Sequence, residues 1–520
     1  MNDESHAGEI AAMLPHQHTV TAPSSLVDRL VESFNRCGVD YCHWKSNFYL
    51  AQAISGEQDL DLFVDRKSLP KATAALMELG FKAARVRRGP NPPGVFHYYG
   101  LDPLHGRIIH VHLFGSIVTG ESFVKSHLLP FERMLLENSA TIGRIRVAGK
   151  QAELVVFVLR TFIKYGSLLD VLRLLGKSED LRAELRWLRA DQDVNASLLL
   201  LRKYCPVIDE PLFRRCMHAI DLGCSWAERL RCAWAVRWRL RVYAKYTSPG
   251  RLLAYLPVLW FKFRRHFAGN LSGKMLQSGG AIIAFVGADA SGKSTLVKET
   301  GRWLGKVLAV RTIHVGKPPS SWLTVPVNLA LRLARRLFPH LHRRRQKTTE
   351  GSANADASRR PGEEALSLVA ALRAVTLAWD RRNLIIKSRR RAAHGEIVIC
   401  DRYPAEIIGA MDSPRLREQL AGEGRRAALY NWLAQVERRL YDQISPPDIV
   451  LKLSVSIATI KHRNRERVKT AKDEEDYLEI RHLQSGEWRK SGTKYLYDID
   501  TEHSLEETMQ RVKQAIWQSL

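Results

Sequence analysis

The residues with the clearest chemical potential form a run of glycine, small, lysine and hydroxyl residues in the second half of the chain. It reads Gly287-Ala-Asp-Ala-Ser-Gly-Lys-Ser-Thr295 and fits the pattern G-x-x-x-x-G-K-[ST]. Glycines let backbone N–H groups curl round phosphates, and a helix N-terminus adds positive charge. Lys293 can then reach a transferred phosphate, and the Ser294 hydroxyl can hold Mg²⁺. We predict an ATP site with these contacts: Gly287, Asp289, Ala290, Ser291, Gly292, Lys293, Ser294 and Thr295.

The elements around this run predict a doubly wound, mostly parallel α/β sheet. The apolar run 281–287 precedes the loop, and a helical run follows it. Strand patterns alternate with helical patterns farther along; they are Val307–Val315, Glu396–Cys400, Asp448–Leu453 and Lys494–Ile499. Asp401-Arg402-Tyr403 follows one of these strands, at the carboxyl end where such sheets bind ligands. Between them, the polar stretch 340–364 is predicted to be a mobile insertion.

From about Ala281 to Leu520 the chain resembles the thymidylate kinase family. The resemblance rests on Asp289 inside the phosphate loop, the Asp401-Arg402-Tyr403 triplet, the strand opening at Pro447-Asp448, and a basic helix. The basic residues of that helix are Arg463, Arg465, Arg467 and Lys469. The resemblance implies a five-stranded parallel sheet, a mobile lid, and transfer of phosphate from ATP to dTMP with Mg²⁺.

The same resemblance implies roles for individual residues. The catalytic set is Lys293, Asp401, Arg402, Arg463 and Arg467; the acceptor set is Asp289, Arg381, Arg402 and Tyr403; the metal set is Ser294 and Asp401. The segment His314-Val-Gly-Lys-Pro-Pro319 departs from the family's Arg-Glu-Pro-Gly stretch, which leaves the acceptor open. A kinase of this fold acting on another acceptor, for example in surface polysaccharide metabolism, is one alternative. A nucleotide-switched module that binds a membrane or nucleic acid is another.

Two carboxylates near the N-terminus form a second candidate site. Asp59 and Asp61 alternate with apolar residues, so both can face one divalent cation from a strand. With the Lys45-Ser46 turn upstream, the segment resembles the nucleotidyltransferase superfamily, whose third acid is replaced here by His110. The resemblance leaves open an active transferase, a degenerate one and a nucleotide sensor. A pair of carboxylates that simply faces solvent is the remaining interpretation.

Three domains are expected in 520 residues: an α+β nucleotidyltransferase-like domain at 25–150, a helical region at 151–273, and the P-loop domain at 274–520. Residues 1–24 are predicted to form a flexible tail. In the first domain we predict a helix after Ser25, a helix over 68–79, and a hairpin of Val95–Tyr99 with Arg107–Phe114.

Charge and cysteines suggest the partners and the compartment. The 80 Lys+Arg against 54 Asp+Glu give a net charge of +26, which suits phosphate-bearing partners. Residues 226–267 combine ten Lys/Arg with many aromatic residues. An anionic membrane could bind this segment, and nucleic acid is a less favoured partner. The helical spacing of the aromatic residues favours a third interpretation, in which they are packed in a core. Seven cysteines without a CxxC pair, and no signal peptide, favour a cytoplasmic protein, with contact at the inner membrane surface and homodimerisation left open.

Overall fold

The computed structural model describes most of the chain. The described residues are 25–87, 92–120, 125–164, 178–190, 193–221, 225–246, 273–321, 324–327, 329, 361–406, 412–417, 424–466 and 488–520. The predicted tail 1–24, residues 340–360 of the predicted insertion and residues 247–267 of the basic aromatic segment lie outside them. The last four residues of the predicted insertion are not irregular, because a helix begins at Pro361.

The first unit is a mixed sheet with helices packed against it. Its strands are β1 Tyr41–His43, β2 Leu60–Val64, β3 Lys82–Val86, β4 Val95–Asp102, β5 Arg107–Phe114, β8 Ser139–Ile142 and β9 Ile145–Ala148, and β6 Val118–Thr119 pairs separately with β7 His127–Leu128. Its helices are α1 Leu26–Arg36, α2 Leu50–Ile54, α3 Leu69–Glu78 and α4 Glu132–Glu137. The predicted hairpin is confirmed as β4 and β5. The predicted start of α1 is also confirmed, since Ser25 and Asp28 form a capping box.

The described part of the middle region consists mainly of α-helices. Its helices are α5 Lys150–Lys164, α6 Ser178–Arg189, α7 Val194–Tyr204, α8 Glu210–Asp221 and α9 Trp226–Arg239. In α5 the residues from Ala152 to Leu159 are all buried, so this helix runs through the centre of the region. Within the described ranges, no helix combines the length and the apolar character needed to cross a bilayer.

The last unit is a five-stranded parallel sheet with helices on both faces. Its strands are β11 Ile282–Gly287, β12 Val310–His314, β13 Ile397–Asp401, β14 Ile449–Ser454 and β15 Tyr495–Asp500, in the order β12-β13-β11-β14-β15. The helices are α10 Lys293–Gly305, α11 Pro361–Ala393, α12 Arg425–Asp442, α13 Ile457–Glu466 and α14 Leu505–Ser519. All four strand pairs are parallel, which confirms the predicted sheet. Buried side chains on each face of the sheet pack against the helices on that side.

The first and last units share a core. A short strand, β10 Lys274–Leu276, forms the edge of the first sheet by pairing antiparallel with β3, giving the order β10-β3-β4-β5-β2-β1-β9-β8. The predicted boundary at residue 274 had placed this strand with the P-loop domain. Tyr99 of β4 and Leu276 are buried in the same cluster as Val512 and Ile516 of α14. The two units are therefore joined by β10, whose Lys274 also forms a bridge with Leu308 of the last unit, and by a common apolar layer.

Candidate functional site

The phosphate loop owes its shape to left-handed backbone positions. Gly287 has a φ of 143°, and a Cβ there would lie 2.7 Å from the Leu453 carbonyl oxygen, so only glycine fits. Ala290 and Gly292 also have positive φ values, of 67° and 89°. Repeated left-handed residues turn successive N–H groups toward one side, which creates a concave anion site. The helix α10 begins directly behind this loop at Lys293.

Lys293 is buried against the loop that it follows. Its Nζ donates to the carbonyl oxygen of Gly287 at 3.0 Å and also to that of Ala288. Only 6 % of the residue is exposed. The ammonium therefore lies within the loop, where a bound phosphate would offer it stronger acceptors than these two carbonyls.

Ser294 and Asp401 meet at the carboxyl ends of neighbouring strands. The hydroxyl of Ser294 donates to Oδ2 of Asp401 at 3.0 Å. Among the described residues, Oδ1 of Asp401 is buried and has no hydrogen-bond partner. The Ser294 hydroxyl and the buried Asp401 carboxylate together offer hard oxygen ligands. Such ligands suit Mg²⁺, and an ion would give the buried carboxylate oxygen the partner that it lacks. These two residues fit the metal ion that sequence reasoning assigned to them.

Arg402 joins the triplet to the phosphate loop. Its Nη2 lies 2.9 Å from Oδ1 of Asp289, and its Nη1 lies 3.5 Å from Oδ2 of Asp412. The backbone φ of Arg402 is 73°, which is rare for a long side chain and costs conformational energy. The guanidinium is partly exposed between two carboxylates, so an incoming phosphate can compete with them for it.

Two predicted acceptor residues are corrected by their surroundings. Arg381 is 1 % exposed, and its five N–H groups donate to the backbone oxygens of Val315, Gly316 and Asp412, to the hydroxyl of Tyr441, and to the Asp412 carboxylate at 2.7 Å. No donor remains for an acceptor. Arg381 instead positions the segment that contains Val315 and the carboxylate that holds Arg402.

Tyr403 is likewise a structural residue. It is buried, and its hydroxyl donates to the carbonyl oxygen of Ser445 at 2.6 Å. The indole of Trp488 donates to its backbone oxygen. Burial raises the pKa of this hydroxyl, which further removes it from proton transfer. The resemblance had implied an acceptor contact for Tyr403, as part of the Asp401-Arg402-Tyr403 triplet, but its side chain points into the core.

Of the arginines in the predicted basic helix, Arg463 lies beside the phosphate loop. Its Nη2 donates to the carbonyl oxygen of Thr501 at 2.7 Å. It lines a cavity of about 310 Å³ together with Ala290, Ser291, Gly292, Thr295, Leu296, Thr501, His503, Leu505 and Thr508. A planar cation and two leucine side chains suit the flat face of a nucleobase. Arg467 lies outside the described residues.

The carboxylates of the first unit converge as predicted, but they are not a bare pair. Oδ1 of Asp61 lies 2.8 Å from the Lys45 ammonium and 3.2 Å from Nδ1 of His112. The same His112 nitrogen lies 3.5 Å from Oδ2 of Asp59. Oδ1 of Asp59 lies 2.6 Å from Nδ1 of His110. Each carboxylate therefore has partners within the chain: the Lys45 ammonium and the His112 ring contact Asp61, and the His110 ring contacts Asp59.

The electrostatics of these carboxylates follow from those contacts. Burial alone would raise the pKa of Asp61, but Lys45 and His112 outweigh it and hold that pKa well below its usual range. Burial also opposes ionisation of Asp59, and His110 and His112 again lower the pKa. Burial lowers the pKa of His110 to about 4, so its ring is neutral near pH 7.

Sequence reasoning missed two histidines at this site. His97 of β4 lies directly across from His112 in the hairpin register, and its Nδ1 is 3.2 Å from Nε2 of His110. The ring of Tyr99 stacks on His110 with centroids 4.3 Å apart. The signal was present, since His110 and His112 alternate along one strand and the predicted hairpin brings His97 to the same face.

The basic aromatic segment exposes part of its aromatic content. Trp234 and Trp238 on α9 are 66 % and 59 % exposed, one turn apart. The guanidinium of Arg241 lies 4.5 Å from the Trp238 ring centroid, and Val242 is exposed nearby. The expectation that the aromatics of this segment are packed in a core is therefore wrong for these two residues.

Comparisons with known proteins give only distant structural likenesses. No protein-family model matches the chain, and no curated protein matches it. Among solved structures, it is similar to a deoxyadenosine kinase from M. mycoides with bound dATP, at 16 % identity and a TM-score of 0.26, over 45 % of this chain and 97 % of that one. It is also similar to a thymidylate kinase from Candida albicans, at 15 % identity and a TM-score of 0.25, over 46 % of this chain and 90 % of that one. A third is JHP933 from Helicobacter pylori, at 12 % identity and a TM-score of 0.18, over 42 % of this chain and 91 % of that one. The geometry of the site itself is that of a phosphate loop in a parallel α/β sheet.

Proposed function

We propose that the protein is an ATP-dependent phosphotransferase of the nucleoside monophosphate kinase type, with dTMP as the first acceptor to test. The proposal depends on one observation, the contact of Ser294 with Asp401. This contact lies directly behind a phosphate loop that contains residues with positive φ angles. That contact joins a hydroxyl and a carboxylate beside Lys293, which is the arrangement that binds a triphosphate with its metal ion. Bound Mg²⁺ would neutralise charge that develops on the phosphate oxygens.

Each residue of the site then has a task in the transfer. Lys293 exchanges its two loop carbonyls for the transferred phosphate, and the loop N–H groups hold the phosphates behind it. Arg402 binds the acceptor phosphate and is released from Asp289 as it does so. Arg463 and the cavity beside it hold the nucleobase of ATP. Transfer then needs little covalent chemistry from the protein, because positioning and charge do most of the work.

A substrate panel tests the proposal. ADP release is measured with ATP, Mg²⁺ and each nucleoside monophosphate in turn, followed by phosphorylated and hydroxylated sugars. A kinase releases ADP only with one acceptor or a narrow group of acceptors. A nucleotide-switched binding module would instead hydrolyse ATP slowly with every compound, and that pattern would overturn the proposal.

A matched pair of lysine variants connects the activity to this site. Lys293→Ala removes the only ammonium that the described structure places in the loop, and transfer is expected to be lost. Lys298→Ala removes an exposed lysine from the same helix and is expected to leave transfer unchanged. Equal turnover of both variants would place the activity elsewhere.

For the first unit we propose a nucleotidyltransferase-like module that binds a nucleotide without transferring it. A polar cavity of about 300 Å³ lies beside Asp59, Asp61 and Ser46 and supports binding. The Lys45 ion pair and the imidazoles at the third acidic position argue against the carboxylate-bound metal pair that transfer requires. Release of pyrophosphate from any nucleoside triphosphate by the Lys293→Ala variant would contradict this assignment.

We further propose that the protein is cytoplasmic and that the exposed tryptophans of α9 make reversible contact with the anionic inner surface of the membrane. Trp234 and Trp238 supply amphipathic rings, and Arg241 supplies a cation at one of them. Interfacial tryptophans anchor in the headgroup region, while arginines attract anionic lipids. The net charge of +26 adds a long-range attraction of the same sign.

A further inference from the structure

The first unit carries three histidines that the proposed phosphate transfer does not use. His97 lies on β4, and His110 and His112 lie on β5. One ring nitrogen of each lies within 4.8 Å of the corresponding nitrogens of the other two. His97 and His110 are buried, and His112 is partly exposed. Three imidazoles that converge from two paired strands form a rigid frame.

The distances within this frame match metal coordination. Nδ1 of His97 and Nε2 of His110 are 3.2 Å apart. Two nitrogens at about 2.0–2.1 Å from a tetrahedral metal ion are about 3.4 Å apart. The pair is therefore spaced almost as two ligands of one ion would be. The partly exposed ring of His112 leaves an approach from solvent.

The outer nitrogens of two of the rings are already oriented. Nδ1 of His110 contacts the Asp59 carboxylate at 2.6 Å, and Nδ1 of His112 contacts the Asp61 carboxylate at 3.2 Å. Each carboxylate accepts the Nδ1 proton, so the Nε2 lone pair of the same ring is directed away from it. Histidines that bind metals usually have this carboxylate support, which fixes the tautomer and raises ligand basicity.

The negative charge beside the three imidazole rings also favours binding of a cation. Asp59 and Asp61 place two negative charges in contact with the imidazole rings. The Lys45 ammonium offsets the charge of Asp61. Neutral imidazole is the form that binds metal, and each of these rings has a second nitrogen that can hold its proton. Imidazole prefers zinc and its neighbours among divalent ions, whereas Mg²⁺ prefers oxygen.

We propose that His97, His110 and His112 together bind one transition-metal dication of the zinc type, with Asp59 and Asp61 orienting the rings from outside the ligand set. Binding replaces the hydrogen bond between His97 and His110, and the His97 proton moves to its other ring nitrogen. The site differs from the phosphate-loop metal site in its position, its ligands and its metal. It also gives Asp59 and Asp61 a role other than direct coordination.

Metal titration of the intact chain tests the site. Zn²⁺ is titrated in competition with a chromogenic chelator, and Co²⁺ is added separately because its visible spectrum reports the number and type of ligands. One tight equivalent of Zn²⁺, with a Co²⁺ spectrum of mixed nitrogen and oxygen ligands, is the expected result. Absence of a tight equivalent in the wild-type chain would overturn the proposal, and ATP is not needed for either readout.

Single substitutions then assign the ligands. His112→Gln, at the partly exposed position, is expected to weaken Zn²⁺ binding at least about 100-fold, and His97→Gln to do the same. The matched control is His105→Gln, since His105 lies in the turn of the same hairpin, where it contacts Asp102 instead. Asp59→Asn keeps all three imidazoles and is expected to weaken binding about 10-fold by releasing His110.

The outcomes separate ligand roles from folding. Melting curves without metal show whether each variant is folded; if His97→Gln is not, His112→Gln and Asp59→Asn decide the matter. Equal Zn²⁺ affinity of wild type, His112→Gln and His105→Gln would mean that the three rings are only a hydrogen-bonded stack. A loss confined to His112→Gln and Asp59→Asn that is equally large for Mg²⁺ would assign the ion to the carboxylates and overturn the imidazole site.

Discussion

Replacement of Arg381 should damage the stability of the P-loop unit far more than replacement of Arg402. Arg381→Met removes five hydrogen bonds and leaves the buried Asp412 carboxylate with only its longer, 3.5 Å contact to Arg402. Removal of one member of a buried ion pair costs about 3–5 kcal/mol, since an uncompensated charge stays in a poor solvent. Arg402→Met breaks a partly exposed pair with Asp289 and a longer contact with Asp412, which keeps Arg381, and should cost about 1 kcal/mol or less.

Native-state hydrogen exchange, read by mass spectrometry, measures both variants in the intact chain. Peptides that cover β12 and β13 report the P-loop unit separately from the helical region. A loss of 3–5 kcal/mol should speed their slowest exchange by about 10²- to 10⁴-fold, because each 1.4 kcal/mol is a factor of ten. Arg402→Met should change the same peptides less than about tenfold.

A double variant checks the physical cause. Arg381→Met combined with Asp412→Asn removes the stranded charge and should recover at least about 1 kcal/mol relative to Arg381→Met alone. The reasoning is refuted if Arg381→Met exchanges like the wild type. It is also refuted if Arg381→Met raises the KM for the acceptor while exchange stays unchanged, since that result would restore its predicted contact with the acceptor.

Three further outcomes follow from other contacts. Asp401→Asn should raise the Mg²⁺ concentration needed for half-maximal ADP release by about tenfold or more, and an unchanged Mg²⁺ dependence would remove Asp401 from the metal site. The double variant Trp234→Ala/Trp238→Ala should lose co-sedimentation with phosphatidylserine vesicles. The control Trp432→Ala removes a tryptophan that is 56 % exposed on another helix, and it should retain co-sedimentation. Binding of the wild type to the vesicles should fall steeply as the salt concentration rises. Burial raises the pKa of Glu153 from 4.5 to about 7, so the folded state binds a proton that the unfolded state lacks between these values. Stability should therefore fall as pH rises through this window, by at most about 1.4 kcal/mol per pH unit, and thermal melts of Glu153→Gln should show a flatter profile than the wild type.

The features predicted correctly from the sequence are those encoded by local order. The phosphate loop, the hairpin and the alternation of strands and helices each depend on residues close together in the chain. The convergence of Asp59 and Asp61 was also local, because Asp59 directly precedes β2 and residues two apart in extended chain share a face.

The errors came from contacts that span long stretches of chain. The resemblance implied an acceptor contact for Arg381, and no sequence signal connects Arg381 to its actual partner Asp412. Tyr403 follows a functional residue, but the direction of its side chain depends on Ser445, which lies in a distant turn. The His97 contact was accessible in principle, since hairpin register and strand periodicity together place it beside His110.

The edge strand β10 has a consequence for the order in which the protein is made. The ribosome completes β3 about 190 residues before it reaches β10, the strand that covers its free edge. At about 5–20 residues per second, that edge waits on the order of ten to forty seconds on a nascent chain. An uncovered edge strand is a template for pairing with other chains. Low temperature or abundant chaperones during expression should therefore reduce aggregation mainly by protecting the chain in this interval. A ribosome-bound chain truncated before Lys274 should be especially prone to aggregation.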